Sequence, residues 1–232
     1  MGNILKNNED WYNKFVDVKT NLLKEELFEK EKKLLLEIHG WLHSKEISKN
    51  NVDTYYDIIW EDLDETICKV ISKKETSILW NIWHITRIED MVSNILMANK
   101  DEIFNKDIQK ELNVKIKDTG NAMDYNEIDD FNKKINIKAL KKYRKMVGKS
   151  TQKILAGLKH SDLKIKVKEE QTEKIRKNGG VIDNSKAIWL LKFWGNKNMM
   201  GLITMPITKH QIVHLNDCYN IKNRYSKTKL RK

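Results

Sequence analysis

The chain has 232 residues, 40% of them hydrophobic and seven of them tryptophan, which excludes a disordered chain and supplies a core for one large domain. A formal charge of +11 suits a nucleic-acid surface, but it equally suits a solvated exterior in a chain rich in Lys, Asn and Ile, and two cysteines exclude a disulfide framework. No apolar run approaches the length of a membrane span and the first residues contain no apolar signal core, so a soluble, cytoplasmic chain is expected.

One proline and nine glycines leave little punctuation for short strands, so long helices are the economical expectation. Residues 1–10 read as a frayed tail. From Val18 to Ile47 the apolar residues Leu27, Leu34, Ile38, Trp41 and Leu42 step by three and four, predicting a first long helix. Lys49, Asn50 and Asn51 should break it. Asp53 should cap a short helix through Trp60, and residues 62–72 should add another turn or two as a connector over the bundle.

Ser77 should start a second long helix, buried through Ile78, Ile82, Ile85, Ile88, Val92 and Ile95 and ending near Asn99. Residues 101–130 read as mixed and polar, with a turn at Asp118-Thr119-Gly120-Asn121. Asn136 should open a third helix with the stripe Leu140, Tyr143, Val147, Thr151, Ile154, Leu158 and an opposite, solvated face of Lys141, Lys145, Lys149 and Lys153. Residues 161–205 read as irregular or helical, with at most a short strand pair in 161–182, a loop at Asn178-Gly179-Gly180, and a helix from Ser185 to Trp194. Pro206 is expected just before the last helix, where its missing N–H costs nothing. That helix should end near Asn223, leaving 224–232 as a flexible basic tail. The expected unit is a single domain over 1–232, with its helical body at about 18–223.

The chemistry sits in the histidines. His210 and His214 are spaced i, i+4, so on a helix both imidazoles leave one face a turn apart. His84 falls on the core face of the second helix. Neutral imidazole is the commonest protein metal ligand, and three of them leave positions open for water or substrate. His39 and His43 form a second i, i+4 pair, and spacing alone does not rank the two. A single histidine on a core face is more often a hydrogen-bonded core residue, but a close pair would need two partners at once. His160, near a helix end, reads as structural. Neither pair has the glutamate that a zincin motif requires, and no phosphate loop or nucleophile elbow occurs.

Four segments carry a resemblance. They are Trp80-x-x-Trp83-His84-Ile85-x-Arg87-Ile88-Glu89-Asp90, Asp118-Thr119-Gly120-Asn121-Ala122-Met123, Leu140 to Gly148, and Met205-Pro206-Ile207-Thr208-Lys209-His210-x-x-x-His214-Leu215-Asn216. Together, over about residues 30–222, they resemble the DinB-like (YfiT-like) metalloprotein superfamily. The two histidine segments are the specific part. The resemblance implies an all-α, up-down-down-up four-helix bundle with short connector helices, from a bacterial source. It also implies one divalent ion, zinc or nickel, held by His84, His210 and His214, which ranks this pair above His39 and His43. Some relatives are S-transferases and isomerases that use a low-molecular-weight thiol, so a metal-dependent thiol transferase is the leading expectation. A metal-dependent hydrolase and a metal-binding protein without catalysis are the alternatives.

Around such a site, Arg87 stands three residues from His84 and is placed to meet an anionic substrate, although a salt bridge with Glu89 or Asp90 is the favoured reading. Asp217, three residues past His214, can accept its free ring N–H or face water. Cys218 reads as a small buried hydrophobe, and His43 as a residue that could line the pocket. The expected partner is a small molecule, without specific nucleic-acid or membrane binding, and helix faces outside the bundle stripes suit a homodimer.

Overall fold

The computed structural model describes residues 2–48 and 53–229, with side chains over 9–48 and 53–226. Among these residues the protein is all-helical. The only strand-like feature is an isolated antiparallel bridge between Lys166 and Asn198, in place of a short strand pair in 161–182. No described helix is long and apolar enough to cross a membrane.

The first expected helix is in fact two. Helix α1 runs Gly2–Asn21, beginning inside the stretch expected to fray, and α2 runs Phe28–Gly40, followed by a single turn at Lys45–Ser48. The reversal between them has a packing cause. Trp11, Phe15, Val18 and Leu22 form one apolar stripe that is buried where α1 folds back on α2, and the Trp11 indole donates to the Ile38 carbonyl at 2.9 Å. A continuous helix from Val18 to Ile47 would hold that stripe away from its partner surface. The expected break at Lys49 to Asn51 lies outside the described residues. Two connector helices follow, Tyr55–Trp60 and Glu65–Cys68, and both pack on the last helix. The first is capped by Thr54, whose hydroxyl accepts from the Asp57 N–H at 3.1 Å; the expected cap, Asp53, instead pairs with Lys45.

Helix α3 spans Ile78–Asp90 and continues through a π-helical turn, Met91–Met97. Ser77 caps it as expected, its hydroxyl accepting from Trp80 N–H at 2.9 Å. All of Ile78–Asp90 is buried, polar residues included, so α3 lies within the core. The 101–134 region is more ordered than its composition suggests, with helices at Lys106–Leu112 and Tyr125–Lys134, the latter opened by a capping box between Asp124 and Glu127. Helix α4, Ile137–Ala156, starts at Asn136 as expected and buries Leu140, Tyr143, Val147 and Thr151. Its lysine face is solvated at Lys141, Lys149 and Lys153.

Glu169–Lys177 forms a helix, and the helix expected from Ser185 begins at Trp189 and ends at Gly195. Pro206 does not precede the last helix. The chain is already helical at Met199–Leu202, and Pro206 sits within a π-helical turn, Ile203–Lys209, that leads into α5, His210–Lys229. A proline inside a regular α-helix clashes with the carbonyl four residues back; the wider π turn moves that carbonyl aside. The Thr208 hydroxyl, at 2.7 Å, satisfies the Ile203 carbonyl. The expected tail from 224 stays helical through Lys229, and 230–232 lie outside the described residues. Helix α3 packs against both α4 and α5, and α2 packs against α4. Helices therefore extend past the expected body of 18–223 at both ends, from Gly2 to Lys229.

Candidate metal centre

The site forms where α3 meets the start of α5. His84 comes from the middle of α3, and His210 and His214 from the first two turns of α5. One ring nitrogen from each lies within 4.8 Å of the others. Ring centroids are 5.1 Å apart for His84 and His210, 4.7 Å for His84 and His214, and 4.5 Å for His210 and His214. The converging group contains no carboxylate.

Two of the three rings have their outer nitrogen occupied. His84 Nδ1–H donates to the Thr119 carbonyl at 2.8 Å. His214 Nδ1–H donates to Asn81 Oδ1 at 2.7 Å, and the Asn81 amide is oriented by its own donation to the Ser77 carbonyl at 2.7 Å. Both rings therefore carry their proton on Nδ1 and leave Nε2 as a lone pair. His84 Nε2 lies 3.2 Å from His210 Nε2, and His210 Nδ1 is buried without a hydrogen-bond partner. Two oriented lone pairs and a third ring free to choose its tautomer form a donor set that suits a divalent cation.

The supporting shell comes from the Asp118 turn, which the sequence marks. Gly120 adopts φ +77 there, a conformation that disfavours any side chain, and a Cβ on it would meet Trp80 Nε1 at 2.9 Å. The Asp118 carboxylate accepts from the Gly120 N–H at 2.7 Å, and the Gly120 carbonyl accepts from the Trp80 indole at 3.2 Å. This tight turn presents the Thr119 carbonyl to His84. Trp80 stacks on the His84 ring, 4.7 Å between centroids with planes 9° apart.

Burial favours neutral imidazole throughout. It pushes His84 down to about 3, with the neighbouring His214 adding and the Thr119 hydrogen bond opposing. Burial, then the neighbouring His84, holds His210 well below the usual range. Burial and then Lys74 bring His214 to about 4. All three are unprotonated at neutral pH, as ligands must be.

Two expected neighbours, Arg87 and Asp217, are engaged with other partners. Arg87 points away from the histidines into a buried network: its guanidinium donates to the Lys117 carbonyl at 2.8 Å, to Tyr143 Oη at 2.9 Å and to Glu102 at 2.7 Å, with Asp90 at 3.4 Å. Asp90, of the favoured salt-bridge reading, is one of its two carboxylate partners, and Glu102, which that reading did not include, is the closer. Asp217 pairs with Lys74 at 2.7 Å, so Asn81 takes the role foreseen for it at His214. Cys218 is buried, its thiol pushed well above the usual range by burial. His160 Nε2–H donates to the Leu23 carbonyl at 2.8 Å, outside the site.

His43 is fully buried. With His39 it belongs to a second buried group around Glu89, the three again offering atoms within 4.8 Å of one another. Glu89 Oε1 accepts from His39 Nε2 at 2.9 Å and His43 Nε2 at 3.1 Å, and Oε2 accepts from Arg144 Nη1 at 2.7 Å. The Gln152 amide nitrogen donates to the Leu36 carbonyl at 2.8 Å and lies 3.0 Å from His39 Nδ1. That amide therefore makes His39 Nδ1 the acceptor and puts the ring proton on Nε2, facing the carboxylate. Burial and then the Arg144 charge push His43 down to about 3, so it is neutral as well. Burial works against the Glu89 carboxylate, yet His43, Arg144 and the two ring donors outweigh it and hold its pKa well below the usual range. This group balances its own charge through Glu89 and Arg144, and its ring N–H groups point inward where lone pairs would be needed. Both groups could hold an ion by proximity, but the donor chemistry favours the three-histidine group.

Sequence reasoning missed Asn81, Thr119, Glu89 and Arg144. Asn81 is signalled only by its position, one residue after Trp80 on a helix whose whole circumference is buried. The fold and the site thus define an all-helical protein with buried imidazole groups able to hold a metal ion. No family model and no curated protein matches the sequence.

Proposed function

We propose that His84, His210 and His214 hold one divalent metal ion and that the protein is a metal-dependent transferase acting with a low-molecular-weight thiol. The observation that carries the metal reading is the pairing of convergence with tautomer control: three ring nitrogens within 4.8 Å, with Thr119 and Asn81 occupying the outer nitrogens of two rings. We further propose that α2, α3, α4 and α5 are the four helices of an up-down-down-up bundle of the DinB-like type. The packing of α3 on α4 and α5, and of α2 on α4, supports it.

Three neutral imidazoles leave the full charge on a bound ion, which favours the thiolate form of a thiol at neutral pH. In the transfer, the sulfur forms a bond to an electrophilic carbon, the leaving group departs with its electron pair, and the thiol proton passes to solvent. Zinc and nickel both suit nitrogen donors.

The test is elemental analysis of purified protein followed by a panel of small thiols with alkylating electrophiles. The expected result is one metal equivalent and metal-dependent consumption of thiol. Metal-dependent ester or amide cleavage without thiol would assign a hydrolase, and one tightly held equivalent with no turnover would assign a metal-binding protein.

A further inference from the structure

A cleft of about 320 Å³ begins one turn beyond His214 on α5. Its walls come from α5 and from the turn before α3, with Ser72, Lys73, Lys74, Asp217, Arg224 and Tyr225 among them. Three of these are cations and one is an anion, so the walls carry a net positive charge in a space of small-molecule size. Charges of one sign gathered in a concave wall reinforce each other's field.

The turn that carries the lysines is held in place. Ser72 N–H donates to the Thr76 carbonyl at 2.8 Å, Glu75 N–H to the Ser72 carbonyl at 2.9 Å, and Lys74 N–H to Ser72 Oγ at 3.2 Å. Lys74 reaches across to Asp217 at 2.7 Å, but its side chain is 71% exposed. The exposed end of the pair is Lys74, and Asp217 is 20% exposed, so the Lys74 ammonium can turn from Asp217 toward an incoming anion.

The position relative to the histidines sets the ligand's shape. Asp217 is three residues past His214 and Arg224 ten, which at the α-helical rise is about 5 to about 15 Å along α5. We propose that this cleft is the subsite for the tail of the small molecule that binds at the three-histidine centre, and that it selects an anionic tail, a carboxylate or phosphate carried several ångströms from the metal-binding head. The proposal rests on the metal reading above.

The test uses cobalt-loaded protein and two six-carbon thiols, one ending in a carboxylate and the other in an alcohol, followed by the sulfur-to-cobalt charge-transfer band. The expected preference for the carboxylate is about tenfold, the scale of one or two partly exposed ion pairs. In the triple variant Lys73→Gln, Lys74→Gln, Arg224→Gln that preference should vanish, while cobalt stoichiometry and alcohol affinity stay as in the wild type. Equal affinities in the wild type, or a preference kept by the triple variant, would overturn the subsite. If the wild type takes up no cobalt, the metal reading has failed, and inorganic phosphate titrated into metal-free protein then decides the cleft. Amide shifts confined to residues 72–74 and 217–225 would retain anion binding there, and no shifts would remove it.

Discussion

Asn81 Oδ1 accepts the Nδ1–H of His214 at 2.7 Å, and the same amide group is pinned to the Ser77 carbonyl at 2.7 Å. A side chain one turn from the start of α3 thus chooses the tautomer of a ring on α5. Residues of this kind, one step out from a metal, are worth about 10–100-fold in affinity. Asn81→Ala is expected to weaken zinc binding by about that factor without removing it. Chelator competition on the purified variant measures the effect, and unchanged affinity would separate Asn81 from the site.

The three histidines should differ sharply from His39 and His43. His84→Ala or His214→Ala should remove most of the metal affinity, because two imidazoles make a poor site, while leaving a folded helical protein. His39→Ala and His43→Ala should keep one metal equivalent per folded chain. An equivalent lost with His39 and kept with His84 would place the ion in the Glu89 group. Elemental analysis alongside circular dichroism distinguishes these outcomes.

Glu89 carries a different expectation. Its carboxylate and the Arg144 guanidinium are both fully buried and bonded at 2.7 Å. Removing one partner leaves the other charge buried and uncompensated, at a cost of about 3–5 kcal/mol. Glu89→Ala should therefore lose stability on that scale in urea titration. A loss below 1 kcal/mol would mean that the network is dispensable.

Gly148 faces His43 so closely that an added Cβ would lie 2.4 Å from Nδ1 and 2.8 Å from Ile47 Cδ1. Gly148→Ala should cost about 1–3 kcal/mol from overpacking, despite the better helix propensity of alanine. Thermal unfolding reads the difference, and a stabilised variant would contradict the packing described.

Acid should unfold the metal-free protein early. The folded imidazoles of His43 and His84 are pushed to about 3, and that of His214 to about 4, against an ordinary value near 6.5. Between these values the unfolded chain binds more protons than the folded one, so stability falls as pH falls below the ordinary value and is fully present above it. At pH 5 each such group costs about 2 kcal/mol. Urea titrations at pH 7 and pH 5 should show a drop of several kcal/mol, and a flat profile would show that the rings protonate in place.

The helices α3 and α4 could be located from residues alone because both begin at a side-chain cap, Ser77 or Asn136, and both carry unbroken apolar periodicity. Their extents are local properties. The split between α1 and α2 could not be read in this way, since residues 18–47 keep helical periodicity and the reversal is driven by burial of Trp11 and Leu22 against α2. Pro206 misled for a related reason. The rule that places proline at a helix start concerns regular α-helix, and the π turn that absorbs it here depends on surrounding packing.

By itself the sequence determined that the chain is helical, that it has a large apolar core, and that histidines stand in two i, i+4 pairs with a third on a core face. Those are matters of composition and spacing along one element. Only the tertiary structure decided which rings meet, because His84 lies 126 residues from His210, and the two are brought together by the packing of α3 on α5. It also decided that Glu89 draws His39 and His43 into a charge-balanced network and that Lys74, not a histidine, meets Asp217. The direction in which a long or ring side chain points depends on its neighbours across elements, and hydrogen-bond partners such as Thr119 and Asn81 fix which nitrogen of a ring is free.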